Sequence, residues 1–415
     1  MNNRILTKRN SCRLCNNKSL DIAFSLKPTP PANAFRNQKD IKDKQRKFPL
    51  NLMLCPHCGH AQLREILDPK LLFENYVYVS GTSASFVKHF EKYANRIISK
   101  YKLKENSLIV EIGSNDGTLL KFFKDKKYRV IGIDPAKKIA KQASQEGIQT
   151  IPSFFNDKIS DKIIKKEGCA NVVIANNVYA HVDNLRCLTL AIRKLLHDNG
   201  IFVFEVSYLL DVYKKTLFDT IYHEHLSYHA AKPLVQFFES LNMNLFDIER
   251  VNTHGGSIRC FVQKHTGKKK TKMSVKNIVR NENRNKIFTL STFHDFSVSI
   301  DGLKNDLNIL IKEIRRKGMK LAGFGAPAKA TTLMHHFNIS RQDIEYIVDD
   351  SPLKQNLFTP GYNIPVVSSK YLEKNPVDYL LILAWNFYDS IIEKQIDFSR
   401  NGGKFIVPLP KLKVI

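Results

Sequence analysis

Two series of short apolar runs, each alternating with amphipathic stretches, constrain this chain more than any other feature of its sequence. In the first series, Ser107-Leu-Ile-Val-Glu-Ile-Gly113, Tyr128-Arg-Val-Ile-Gly-Ile-Asp134, Asn171-Val-Val-Ile-Ala-Asn176 and Gly200-Ile-Phe-Val-Phe-Glu205 read as strands. Pro135 to Glu146 and Leu185 to His197 carry helical periodicity between them. Runs this apolar suit strands covered on both faces, the situation in a parallel sheet flanked by helices. A polar stretch near 266–285 reads as a linker or surface loop, and a helix-compatible segment runs from about Asn281 to Lys317. A second series follows: Met319-Lys-Leu-Ala-Gly-Phe-Gly325, Ile344-Glu-Tyr-Ile-Val-Asp349, Val377-Asp-Tyr-Leu-Leu-Ile-Leu-Ala384 and Lys404-Phe-Ile-Val-Pro408. The fold class is therefore α/β with two Rossmann-like domains, which suits 415 residues, too many for one ordinary core.

Cysteine spacing sets the rest of the architecture. Cys12-Arg-Leu-Cys15 and Cys55-Pro-His-Cys58 form two C-x-x-C pairs, while Cys169, Cys187 and Cys260 stand alone. Each pair places two thiolates on a tight turn, the spacing that Zn²⁺ needs. Gly59 supplies the freedom for the second turn, and the long spacer, with Pro28, Pro30 and Pro31, can run extended. Cys12, Cys15, Cys55 and Cys58 are the expected ligands of one zinc per chain, and four thiolates leave no open position, so the ion is structural. The expected domains are a zinc-binding module at 1–70, a first α/β domain at 71–280 and a second at 281–415.

The basic balance, a net charge of +26, would attract nucleic acid, anionic membrane or phosphorylated small molecules without choosing among them. The densest run, Lys268-Lys-Lys-Thr-Lys272, lacks interleaved aromatics or a recognisable nucleic-acid module, so nucleic acid is not the expected partner. No stretch of about 18 apolar residues occurs, nor an apolar run behind the basic start, and the expected location is cytoplasmic, off the membrane. A monomer is the default expectation.

Two motifs carry chemistry. Val110-Glu-Ile-Gly113-Ser-Asn-Asp-Gly117 follows a buried strand and opens a helix, letting the backbone pass close to a ligand. The next strand ends at Asp134, where a carboxylate in such a sheet can accept hydrogen bonds from ribose hydroxyls. This pair resembles the first two motifs of class I S-adenosylmethionine-dependent methyltransferases. The resemblance implies a cofactor site at Glu111, Gly113, Asn115, Gly117 and Asp134, with Asn176 beside the sulfonium and adenine. Residues 220–229, Thr-Ile-Tyr-His-Glu-His-Leu-Ser-Tyr-His, crowd Tyr222, His223, Glu224 and His225 together. Histidines two apart cannot share one helical face, so metal ligation fits poorly, whereas an imidazole near pKa 6.5 suits a general base.

With the Cys₄ pairs, E-I-G-S-N-D-G, Y-H-E-H, His254-Gly-Gly-Ser-Ile-Arg259 and Gly325-Ala-Pro-Ala-Lys329 in order, the chain resembles the nucleotide-sugar C-methyltransferases over nearly its whole length. The family commonly has alanine-alanine-lysine-glycine in the last motif, and Pro327 and Ala330 depart from it. The resemblance implies a methyltransferase acting on a nucleotide-linked 4-keto deoxysugar beside the ketone, at C-3. It implies a site lined by Tyr76, His181, Tyr222, Glu224 and His225. On that basis His225 is the expected base, Glu224 its orienting partner, Tyr222 and His181 the donors to the enolate oxygen, and Tyr76 a residue closing the pocket. Arg259 and Lys329 are the expected substrate-binding cations, Lys329 beside the diphosphate at a helix start. Taken literally, Gly323-Phe-Gly325-Ala-Pro-Ala328 followed by Asp349 also fits a second dinucleotide site. Two other functions stay open on sequence alone: a zinc-finger RNA-binding protein or RNA methyltransferase, and an O- or N-methyltransferase of small metabolites.

Overall fold

The computed structural model describes residues 5–74, 79–82 and 84–415. Its central sheet has seven strands, in spatial order Met243–Val251, Ser257–Lys264, Leu196–Ser207, Ala170–Asn176, Leu108–Ile112, Arg129–Ile133 and Thr150–Ile151. The last five are mutually parallel, and Ser257–Lys264 runs antiparallel to both its neighbours. Four of the apolar runs occupy the middle of this sheet, covered on both faces, which is why they lack a polar alternation. The chain enters at Leu108–Ile112, builds outward on one side, then crosses to Ala170–Asn176 on the other. Between those two strands lies the crevice where open α/β sheets hold ligands.

The second α/β domain repeats the plan with six strands, in order Val366–Val367, Ile347–Val348, Leu321–Phe324, Tyr379–Ile382, Lys404–Val407 and Lys413–Val414. All pairs are parallel except the last. Its crevice falls between Leu321–Phe324 and Tyr379–Ile382. The structure is thus α/β with two Rossmann-like sheets and an N-terminal cysteine cluster.

The N-terminal module is antiparallel. Asp21–Thr29, Phe48–Leu54 and Ala61–Leu63 form a sheet whose fourth strand, Ser227–Tyr228, comes from the central domain directly behind the Y-H-E-H stretch. The helix Ala328–Phe337 of the second α/β domain closes the other side: Thr331 Oγ1 donates to the Ala32 carbonyl at 3.0 Å, and Thr332 Oγ1 to that of Ile221 at 3.0 Å. One apolar core runs continuously from Cys12 to Leu409 through all three regions.

The stretch 266–285 is not a plain loop. Residues Met273–Arg284 form a helix that lays Val275, Ile278 and Val279 on the core, and Glu282 is buried where it accepts hydrogen bonds from the amides of Ala231 and Lys232 at 2.6 and 2.9 Å. The glutamate satisfies the open N-terminus of the helix Ala231–Glu239. The long helix begins later than expected, at Leu290, and runs to Arg316. Among the described residues no helix is long and apolar enough to cross a membrane.

Candidate active site

The cysteine cluster comes together as the spacing requires. Cys12 Sγ lies 3.6 Å from Cys58 Sγ, and Cys15 Sγ 3.6 Å from Cys55 Sγ, with all four sulfurs within 4.8 Å of one another. A tetrahedron with Zn–S bonds of about 2.3 Å has edges of about 3.8 Å, so the donor set fits zinc and not a disulfide pair. Gly59, at φ +81°, closes the second turn by donating its amide to the Cys55 carbonyl at 2.9 Å.

At the central crevice the chain turns at Gly113, with φ +70°. A Cβ there would lie 2.3 Å from Val178 Cγ2, so only glycine allows the strand end to pass the loop after Asn176. Asp134 is buried, and its carboxylate accepts from the Asn115 amide at 2.9 Å and the Ala136 amide at 2.8 Å. Through the Asn115 amide it shapes the glycine turn. Glu111, Asp116 and Asp134 crowd this turn: burial first, then those two neighbouring charges, drive the Glu111 pKa well above its usual range. Glu111 Oε2 is buried without a hydrogen-bond partner among the described residues, and so are the amide nitrogen and oxygen of Asn176. Gly117, at φ +77°, starts the helix Thr118–Lys124. The turn Ser80–Thr82 sits on this loop, its Ser80 amide on Asn115 Oδ1 at 2.9 Å and its Gly81 amide on Asp116 Oδ2 at 2.8 Å.

The Y-H-E-H stretch lies beside the second half of that crevice. His225 Nδ1 is 2.7 Å from the Thr220 carbonyl, which fixes Nδ1 as the protonated nitrogen and leaves the lone pair on Nε2. Nε2 lies 3.0 Å from the Tyr222 hydroxyl. His181 stacks on His225 with ring centroids 5.1 Å apart and on Phe73 at 5.4 Å, and its Nε2 is buried without a partner among the described residues. Burial lowers the pKa of His225 to about 4 and that of His181 well below 6.5, so both are neutral at ordinary pH. His223 points away, its Nε2 3.1 Å from the Pro49 carbonyl and its ring against Phe48.

Two expected roles are corrected by these contacts. Glu224 does not orient His225, because both ring nitrogens are taken by Thr220 and Tyr222; its Oε1 instead accepts from Asn33 Nδ2 of the N-terminal module at 2.8 Å. Arg259 does not stand open to a phosphate. Its Nε and Nη2 lie 3.1 and 2.9 Å from Glu205 Oε2, it covers the Tyr93 ring at 3.9 Å, and it is 5% exposed. Glu205 also holds His89 Nε2 at 3.1 Å and Thr253 Oγ1 at 2.7 Å, so this buried carboxylate anchors the helix Ala84–Tyr101 and the H-G-G-S-I-R loop. Tyr76 lies outside the described residues.

Lys329 comes from the second α/β domain, at the start of Ala328–Phe337. Its Nζ rests 3.7 Å over the Trp385 ring and donates to Asn386 Oδ1. Trp385 Nε1 in turn donates to the buried carboxylate of Asp219 at 2.5 Å, three residues before Tyr222. Burial lowers the Lys329 pKa to about 8, with the Asp219 charge opposing. The turn before it mirrors the first crevice: at Gly325, φ +84°, a Cβ would meet the Ala384 Cβ at 2.4 Å, and Asp349 accepts from the Ala326 and Ser351 amides at 2.6 and 2.9 Å.

Comparison with known proteins decides what this assembly belongs to. Residues 12–73 match a zinc binding domain model, residues 86–247 one described as a methyltransferase domain, and residues 252–410 one described as a C-methyltransferase C-terminal domain. C-methyltransferase NovU of Streptomyces niveus is 31% identical over 404 residues, 97% of this chain and 96% of that one. The chain belongs to the C-methyltransferase family. Among solved structures, magnesium protoporphyrin IX methyltransferase of Synechocystis PCC 6803 with bound SAH is 12% identical, covering 43% of this chain and 83% of that one with a TM-score of 0.34. An S-adenosylmethionine-dependent methyltransferase of Clostridium acetobutylicum is 11% identical, covering 44% and 92% with a TM-score of 0.35. Overlaps this partial say nothing of the substrate.

Several contacts of this site were not readable from the sequence motifs. Thr220 acts through its carbonyl, which leaves no mark in a sequence. Asp219 and Trp385 meet across 166 positions, and Glu205 and Arg259 across 54. Asp116 lies inside E-I-G-S-N-D-G, and its proximity to Glu111 and Asp134 was the readable signal.

Proposed function

We propose that this C-methyltransferase uses S-adenosylmethionine to methylate a nucleotide-linked 4-keto deoxysugar at the carbon beside the ketone, C-3, within the cytoplasm. The single observation that carries the reading is the neutral His225 with its lone pair on Nε2, beside the Tyr222 hydroxyl and His181, whose buried Nε2 has no hydrogen-bond partner among the described residues. A sugar carbon becomes a nucleophile only after a neighbouring carbonyl acidifies its hydrogen. A base and a hydrogen-bond donor for the developing oxyanion are then both needed, and this cluster offers both.

The residues present fit the cofactor. S-adenosylmethionine supplies an electrophilic methyl carbon and carries positive charge, and Glu111, Asp116 and Asp134 crowd the turn that would face it. The Asn176 side-chain amide, whose nitrogen and oxygen are buried at the strand end, offers a donor and an acceptor there. Asp134 would accept from ribose hydroxyls through the lone pairs that the Asn115 and Ala136 amides leave open. Zinc in the Cys₄ site would contribute folding energy and touch no reacting atom.

His225 Nε2 takes the C-3 proton while Nδ1–H stays on the Thr220 carbonyl, so the imidazolium keeps a hydrogen bond on that side. Tyr222 swings its hydroxyl from Nε2 to the C-4 oxygen, freeing the lone pair as it supplies a donor. His181, neutral and stacked on His225, holds the second position near that oxygen. Lys329, on the wall given by the second α/β domain, would face the diphosphate, with Trp385 and Asn386 fixing its reach. Solvent deuterium exchange at C-3 of a panel of nucleotide-linked 4-keto sugars, followed by NMR of the methylated product, tests substrate and carbon together. Normal methyl transfer by His225→Asn would overturn the mechanism.

A further inference from the structure

Arg13, the residue after the first zinc-ligand cysteine, is 1% exposed and does not face solvent as a spacer inside a C-x-x-C turn would. Its Nη1 donates to the Leu226 carbonyl at 3.1 Å and to the Leu63 carbonyl at 2.6 Å, and its Nε to Asp183 Oδ1 at 3.1 Å. Leu226 follows His225, and Asp183 lies two residues after His181. The same two segments are joined by their backbones: the Leu226 and Ser227 amides both donate to the Ala180 carbonyl, at 2.8 and 3.1 Å. The Arg13 amide is itself held by Gln62 Oε1 at 2.8 Å, and Gln62 pairs in register with Ser227. Arg9 brings a second guanidinium to Asp183 Oδ1 at 3.1 Å.

A buried guanidinium is a costly way to join two segments. One carboxylate, shared with Arg9, offsets its charge, and its Nη2 has no partner among the described residues. Apolar side chains of similar volume would hold the module to the domain as well or better. What the guanidinium adds is direction: its hydrogen bonds to the Leu226 carbonyl and the Asp183 carboxylate set where the chain leaves His225 and where it leaves His181, while the third, to the Leu63 carbonyl, fixes it to the N-terminal module.

We propose that Arg13 is a positioning residue for methyl transfer, tying the zinc knuckle to the two segments that carry His225 and His181 and so setting the spacing of the stacked imidazoles. The proposal rests on the reading of those histidines as reaction groups. The cysteine cluster then does more than stabilise an appendage, because the knuckle that holds the metal also holds the base.

The test uses the full zinc-loaded chain with histidine labelled at the ring, resonances being assigned through His225→Asn and His181→Asn. Arg13→Met is expected to keep one zinc per chain and cofactor affinity within about twofold. The His225 and His181 ring resonances should shift and their titration midpoints rise toward the ordinary histidine value. With keto sugar, kcat should fall on the order of 10²-fold at little-changed KM, the cost of a small misplacement of the base. Asp183→Asn, which spares the two carbonyl contacts, should move the same resonances less and lower kcat on the order of tenfold. Unmoved resonances and wild-type kcat in a folded Arg13→Met protein overturn the proposal. If Arg13→Met loses zinc or fails to fold, unmoved resonances in Asp183→Asn overturn it instead. The resonances need no sugar, so a wrong substrate assignment shows as a wild type without turnover, separately from this result.

Discussion

Acid should spare the reaction far longer than a solvent-exposed histidine base would allow. Burial holds His225 at about 4, against an ordinary 6.5, while its hydrogen bond to the Thr220 carbonyl pulls more weakly upward. A base works unprotonated, so kcat/KM falls as pH drops through the free enzyme's pKa, here about 4. At pH 5.5 roughly 97% of such a histidine is neutral, against about 9% for one at 6.5, a tenfold difference in kcat/KM. The assay is methyl transfer at subsaturating keto sugar from pH 4.5 to 8, with circular dichroism confirming the fold at each point. His225→Asn should lower the whole profile by about 10²–10⁴-fold. An acid limb centred near 6.5 in folded enzyme would mean that the base is either exposed or another group.

Wild-type protein should carry about one zinc per chain by elemental analysis, and stoichiometric zinc in a Cys12→Ser/Cys55→Ser variant would remove the Cys₄ assignment. Asp134→Ala should weaken S-adenosylmethionine binding by about 1.5–3 kcal/mol in calorimetry, since it removes the proposed ribose acceptor and frees the amides of Asn115, in the glycine turn, and of Ala136; unchanged affinity would reject that role. Tyr222→Phe should slow C-3 proton exchange by about 10²-fold with both ligands still bound, and a wild-type exchange rate in that variant counts against Tyr222 as donor. His223 and His229 are fully buried with pKa values lowered to about 4. Below pH 6.5 the unfolded chain binds protons that the folded chain excludes. Stability should therefore be full above that pH and fall toward pH 4 by up to about 3 kcal/mol per histidine; identical urea midpoints at pH 7 and pH 5 would contradict this.

Four strands in each α/β domain were legible because burial on two faces leaves an apolar run that few other structures produce; the edge strands Thr150–Ile151, Met243–Val251, Val366–Val367 and Lys413–Val414 and the antiparallel Ser257–Lys264 left no such mark. The helix Met273–Arg284 was not legible either, because only a narrow stripe of Val275, Ile278 and Val279 touches the core amid polar residues. At the site, adjacency misled in one case: Glu224 precedes His225 in the chain, yet the partner of Nδ1 is a backbone carbonyl five residues back. Arg259 looked like an anion ligand because a cation's partner is invisible when it lies 54 residues away on a neighbouring strand. Nothing in the C-x-x-C pattern marked Arg13, since ligand spacing says nothing of what the intervening side chain reaches.

The continuity of the apolar core from Cys12 to Leu409 has a consequence for how the molecule comes apart. Three regions that share one core, one borrowed strand and one docked helix should melt together. Calorimetry would then record a single transition instead of three, and a chain cut after the first α/β domain would leave the helix-facing side of Asp21–Thr29 wet. Exchange of whole regions between relatives would be penalised for the same reason, because each region's surface has been shaped as another's interior.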